Sequence, residues 1–151
     1  MNSAKILEKI DNDITRYGWH CLSVNACTGE EGAPFTYTIG LQTTHQHPEI
    51  MIFALSNQTA HGILSDCVSL IQNGRRFQPD QEYADVIGGG YQVIFRQVRD
   101  EHLPEYFGAA CRYYRDAPFS ALILFWPNKN HRFPWEDEGA TPQDEALGLI
   151  F

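Results

Sequence analysis

Residues 35–55 read Phe-Thr-Tyr-Thr-Ile-Gly-Leu-Gln-Thr-Thr-His-Gln-His-Pro-Glu-Ile-Met-Ile-Phe-Ala-Leu, and their pattern decides the fold class. Residues 35–41 alternate aromatic or aliphatic side chains with threonine, the period-two signature of a strand with one face in a core. Residues 49–55 are a nearly continuous apolar run, suited to a central strand covered on both faces. Upstream, 19–27 also alternates and holds few helix formers, and the polar stretch 28–33 joins it to 35–41 as a hairpin. Downstream, 91–99 and 120–126 read as strands, and the second is almost wholly apolar and therefore central.

Helices fill the gaps. Ile6, Leu7, Ile10, Ile14 and Tyr17 recur at three- and four-residue steps over 3–17, with Ser3 to cap the start and Gly18 to stop it. Ala60, Ile63, Leu64, Cys67, Val68 and Ile71 form the buried stripe of a second helix over about 58–73, capped by Asn57 or Thr59 and ended by Gly74. Pro104 opens a third, to about Tyr114. Gly88-Gly89-Gly90 reads as a turn or bulge before the 91–99 strand. The expectation is one α+β domain over residues 1–151. Its sheet is largely antiparallel, curled or closed as a split barrel, and flanked by about three helices.

A chain of 151 residues buries roughly 68–70% of its unfolded surface, so it needs no disulfide or structural metal. Its four cysteines, Cys21, Cys27, Cys67 and Cys111, form no C-x-x-C pair and read as reduced thiols of a cytoplasmic protein. No apolar run approaches the roughly 18 residues of a membrane span. The formal net charge is −8, which argues against nucleic acid and anionic membranes as partners and favours a basic protein. Residues 17–74 hold no Lys or Arg, and the stretch beyond 132 holds five acids and no base. If those two segments adjoin, the molecule has one acidic face. Arg96, Arg99, Arg112 and Arg115 lie among Asp100, Glu101, Glu105 and Asp116 and read as a solvated, salt-bridged surface.

No G-x-S-x-G, phosphate-loop, dinucleotide or H-E-x-x-H motif occurs, so no catalytic residue is assigned. His45, His47 and Glu49 fall at i, i+2 and i+4, one face of an extended strand and the weak alternative of a metal site. Trp135, between Pro134 and Glu136, has the character of a partner anchor. Its other reading is a ring that closes one end of the core with Phe133.

The 35–41 strand, His47-Pro48-Glu49 before the apolar run, Gly18-Trp19, Trp126-Pro127 and Phe133-Pro134-Trp135-Glu136 occur in an order that resembles the bacterial family catalogued as domain of unknown function 4262. That resemblance implies no activity. It marks Tyr37, Thr38, His47, Glu49, Trp135 and Glu136 as candidates for contact with a ligand or partner. At the level of fold the chain is similar to flavin reductase-like split barrels, a resemblance that implies FMN phosphate held by Thr36, Thr38 and Thr43, with charge from Arg75. The base-free stretch around those threonines puts a non-catalytic binding protein first, of the kind that neutralises a toxin. The alternative is a flavin- or nucleotide-binding split barrel, with an oxidoreductase among its readings. Oligomeric state is not legible.

Overall fold

The computed structural model describes residues 3–24, 34–115, 117–137 and 140–150. The expected end of the first strand at 25–27, the turn 28–33, Cys27, Glu30, Glu31, Asp116 and Glu138 lie outside the described residues. Helix α1 (Ser3–Tyr17) leads into the antiparallel pair β1 (His20–Val24) and β2 (Phe35–Ile39), in register from His20 opposite Ile39 to Val24 opposite Phe35. A short helix α2 (Leu41–His45) separates β2 from β3 (Glu49–Phe53). Helix α3 (Asn57–Gln72) is followed by β4 (Glu82–Tyr83) and β5 (Val93–Gln97). A 3-10 turn at Asp100–His102, α4 (Leu103–Tyr106), α5 (Gly108–Tyr114), β6 (Ala121–Phe125) and α6 (Asp144–Leu147) complete the order.

The six strands form one curled, unclosed sheet in the order β1-β2-β3-β6-β5-β4. Every pairing is antiparallel except the central one, where Glu49–Met51 run parallel to Ala121–Ile123. All five residues of both β3 and β6 are buried, as continuous apolar runs require when both sheet faces are covered. On one face Tyr37, Ile39, Phe53, Ile123 and Phe125 pack with Ile10 and Ile14 of α1 and Ala110 and Tyr114 of α5. On the other, Ile50, Ile52, Phe95, Leu122 and Leu124 pack under Leu64, Cys67, Val68 and Ile71 of α3. Alternation along each strand deals its side chains to these two cores in turn.

Several boundaries differ from the sequence reading for local physical reasons. The N-cap of α3 is Ser56, whose hydroxyl accepts from the Thr59 N–H at 3.2 Å. The helix expected over 104–114 is interrupted at Phe107, where φ −111 and ψ 39 depart from helical values. Gly88, Gly89 and Gly90 all hold positive φ, which a glycine run alone sustains cheaply. Among the described residues no helix is long and apolar enough to cross a membrane.

Candidate functional site

The sequence candidates fall into two regions of the molecule. Glu49 opens β3 and is fully buried. Its Oε1 accepts from the Thr38 hydroxyl at 2.7 Å and the Leu41 N–H at 3.3 Å, while Oε2 accepts from the Gly40 N–H at 2.8 Å and the Tyr114 hydroxyl. Burial pushes its pKa up to about 7 against the pull of those four donors. The Tyr114 oxygen also accepts the Gln42 N–H at 3.2 Å. One carboxyl thereby ties β2, the start of α2, β3 and α5 together.

His47 is equally buried, and its neighbours settle its tautomer. Nδ1–H donates to the Pro48 carbonyl at 2.8 Å, because a carbonyl only accepts; Nε2 accepts the Phe77 N–H at 3.0 Å, because an amide only donates. Burial holds its pKa below the ordinary histidine value, so the ring stays neutral. Tyr37 is buried against the backbone of Ala109 and Ala110, and its phenol is pushed up to about 12. Tyr37, Thr38, His47 and Glu49 are therefore all buried: Thr38 and Glu49 are bonded to each other, while His47 packs separately against Phe77 and lines a shallow pocket with Pro48 and Arg76.

The metal reading assumed an extended chain from His45 to Glu49. Instead His45 ends α2 and Gln46 turns the chain through a left-handed conformation, so the three side chains do not share a strand face. Both His47 nitrogens are engaged, and the His45 Nε2 is buried with no partner. Among the described residues no group of three His, Cys, Asp or Glu is arranged to hold a metal. The phosphate constellation also disperses. Thr36 bonds Ser23 at 3.0 Å, Thr38 serves Glu49, Thr43 is exposed on α2, and Arg75 is tied to Asp85 at 3.1 Å.

Trp135 and Glu136 lie apart from this cluster, beside β4 and β5. The Glu136 carboxylate accepts the Phe133 N–H at 2.9 Å, and the Glu136 N–H donates to the Phe133 carbonyl at 2.9 Å, so Phe133–Glu136 is a self-closed turn. Trp135 stacks parallel to Phe133 at 4.9 Å and meets the Phe125 edge at 5.1 Å. The Arg96 guanidinium sits 4.6 Å from the Trp135 ring centre. The ring closes the core over β6 with Phe133, as the second of its two sequence readings expected, and remains half-buried. It lines a groove of about 300 Å³ with Glu82, Gly90, Gln92, His131 and Glu136. Next to it, a second hollow is lined by Asp80 and Arg96.

The residues missed by sequence reasoning are those of the opposite wall. Glu82 belongs to a two-residue strand, and Asp80 reaches Arg96 at 2.9 Å across the edge of the sheet. Arg96 breaks the apolar pattern of β5, and that break is the one local signal that pointed here. The Arg96 Nε–H is buried without a partner.

The two acidic segments do not combine into one face among the described residues. Glu49 is internal, and Asp66 sits on α3, across the sheet from the core that buries Phe133, Ala146 and Leu149. Cys21, Cys67 and Cys111 are free thiols. Burial pushes Cys21 up to about 11 and Cys67 to about 12, and raises Cys111 as well, which makes all three poor nucleophiles at neutral pH.

No curated protein and no solved structure matches the chain. A family model described as Domain of unknown function (DUF4262) matches residues 13–140, a span from the middle of α1 past the Phe133–Glu136 turn. It takes in the buried Glu49 and His47 and the Trp135 groove, and the chain belongs to that family.

Proposed function

We propose that the protein is a non-catalytic binding protein that receives a cationic group of a partner in the groove beside Trp135. The observation that carries this reading is the balance of charge around that ring. Arg96 is already matched by Asp80, and Arg132 by Glu136 and Asp137. The exposed Glu82 carboxylate has no hydrogen-bond or ion-pair partner among the described residues. An unmatched carboxylate in a groove also lined by an indole suits a lysine or arginine side chain, whose charge pairs with Glu82 while its aliphatic stem lies against the ring. The wall is prebuilt. Asn128 Oδ1 accepts the Asn130 and Arg132 N–H groups, and Tyr91 stacks on His131 at 4.5 Å. Little ordering entropy is then left to lose on binding.

Three free thiols fit a reducing compartment such as the cytoplasm. A basic protein surface, as in neutralisation of a toxin, is a partner of this chemistry. The reading is tested by titrating an arginine-rich peptide while following the three tryptophan indole N–H signals by NMR. The Trp135 signal should shift saturably, Trp19 and Trp126 should not, and affinity should fall as salt rises. Glu82→Gln should weaken binding about tenfold, the order of one partly desolvated charge pair. A silent Trp135, or binding indifferent to both salt and Glu82→Gln, would sink the idea.

A further inference from the structure

A second cleft, remote from the Trp135 groove, has the opposite chemistry. It occupies about 380 Å³ where α1, α2 and α5 meet, and Leu7, Asp11, Thr43, Arg112, Tyr113 and Arg115 line it. The fates of the arginines single it out. Arg75, Arg96, Arg99 and Arg132 each face a carboxylate. Arg76 donates to the Gln46 carbonyl at 2.7 Å, and Arg16 covers the Tyr17 ring. Arg112 and Arg115 are exposed and have no hydrogen-bond or ion-pair partner among the described residues. Arg112 lies in the last turn of α5 and Arg115 just beyond its end, and both line the cleft. The Tyr113 hydroxyl donates to the Thr43 hydroxyl at 3.4 Å, which leaves the Thr43 O–H as one further donor on the wall beside them.

The backbone at Arg115 adds an independent observation. The Ala117 N–H donates to the Tyr114 carbonyl at 3.0 Å, and Arg115 holds φ 58 and ψ −114. Those are the values of the first central position of a type II′ turn, a place glycine occupies at least cost. An arginine there carries strain that nothing in its own contacts offsets. Arg115 lines the same cleft as Arg112, which also lacks an ion-pair partner among the described residues.

The geometry points to a phosphoryl-binding site: Arg112 and Arg115 grip a phosphomonoester, and the Thr43 hydroxyl, held by Tyr113, supplies one more hydrogen bond. Guanidinium pairs suit phosphate oxygens because their planar forks bond two at once. Among the described residues Asp11 is the single acid on the wall, and the two guanidinium charges exceed it by one. The molecule's net charge of −8 acts weakly at this spot, because salt screens charges beyond roughly 8 Å at physiological ionic strength. The site draws on Thr43, one of the threonines that sequence reasoning assigned to phosphate, but takes its charge from α5 instead of Arg75.

The test follows the arginine Nε–Hε signals by NMR while inorganic phosphate, adenosine monophosphate or sodium chloride is added at matched ionic strength. Arg112 and Arg115 should shift saturably with both phosphates and not with chloride. Tighter binding of the nucleotide would identify an organic phosphomonoester as the ligand, and equal binding would identify free phosphate. Arg112→Gln should weaken binding at least tenfold, and Arg99→Gln should leave it within twofold. Arg115→Gly should weaken binding and raise the melting temperature together, which separates a ligand role from a structural one. Non-saturating shifts, the same shifts with chloride, or undiminished binding by Arg112→Gln and Arg115→Gly would overturn the proposal. So would a fall in melting temperature on Arg115→Gly.

Discussion

Glu49 is the residue on which local structure and stability meet. Its pKa of about 7 in the fold lies above the ordinary 4.5 because burial penalises the charged form. The folded state therefore holds a proton that the unfolded chain releases above pH 4.5. Stability from this group is full below that value, falls as pH rises, and levels off beyond about 7, a swing on the order of 3 kcal/mol. His47, two residues earlier, acts with the opposite sign. Its depressed folded pKa makes the native state lose stability as pH falls below the unfolded value near 6.5. Glu49→Gln should remove the first contribution and leave the second. Urea unfolding from pH 5 to 8 should then show stability rising with pH in the variant, relative to the parent. Identical pH slopes in the two proteins would show that Glu49 does not titrate in this window. Neither effect depends on a cleft, and both residues serve the architecture.

At the scale of elements, α2 shows why part of the fold was hidden. Leu41-Gln-Thr-Thr-His carries no amphipathic stripe, and the helix starts from Gly40 at φ 109. What holds its first turn is the Glu49 carboxylate, which receives the Gly40 and Leu41 N–H groups from eight and nine residues away. Period and propensity cannot see such a bond. They saw α1, the β1–β2 hairpin, α3 and β6 because those elements repeat their apolar residues at helix or strand spacing. The Trp135 groove was half legible for the same reason. Its turn is a compact motif, but its facing wall hangs on a two-residue β4 placed by nonlocal pairing. Two glycines test the element level with one substitution. A Cβ on Gly40 would stand 2.8 Å from the Ile14 side chain, so Gly40→Ala should destabilise by about 2–4 kcal/mol. Gly62 lies exposed within α3 with nothing within 4 Å, and Gly62→Ala should stabilise by about 1 kcal/mol. Thermal melts of the two variants should move in opposite directions; movement in the same direction would refute the assigned crowding or helix register.

For the whole molecule, the consequence of one shared sheet is cooperativity. Leu64 under α3 and Phe107 between α4 and α5 belong to different cores, yet β3 and β6 contribute side chains to both. Leu64→Ala and Phe107→Ala should each cost about 2–5 kcal/mol and lower a single calorimetric transition without splitting it. Two resolved transitions in either variant would mean that the faces unfold independently.

The parallel pairing of β3 with β6 also bears on the order in which the protein is born. Glu49 lies opposite Ala121, so the middle of the sheet waits for a strand synthesised some seventy residues later. During translation, α1 and the β1–β2–β3 meander emerge first and can pair locally, at little loop-closure cost. They then present the bare backbone edge of a strand that is apolar from Ile50 to Phe53, the kind of edge that recruits other nascent chains. Until β6 leaves the ribosome, that edge of β3 has no strand to pair with.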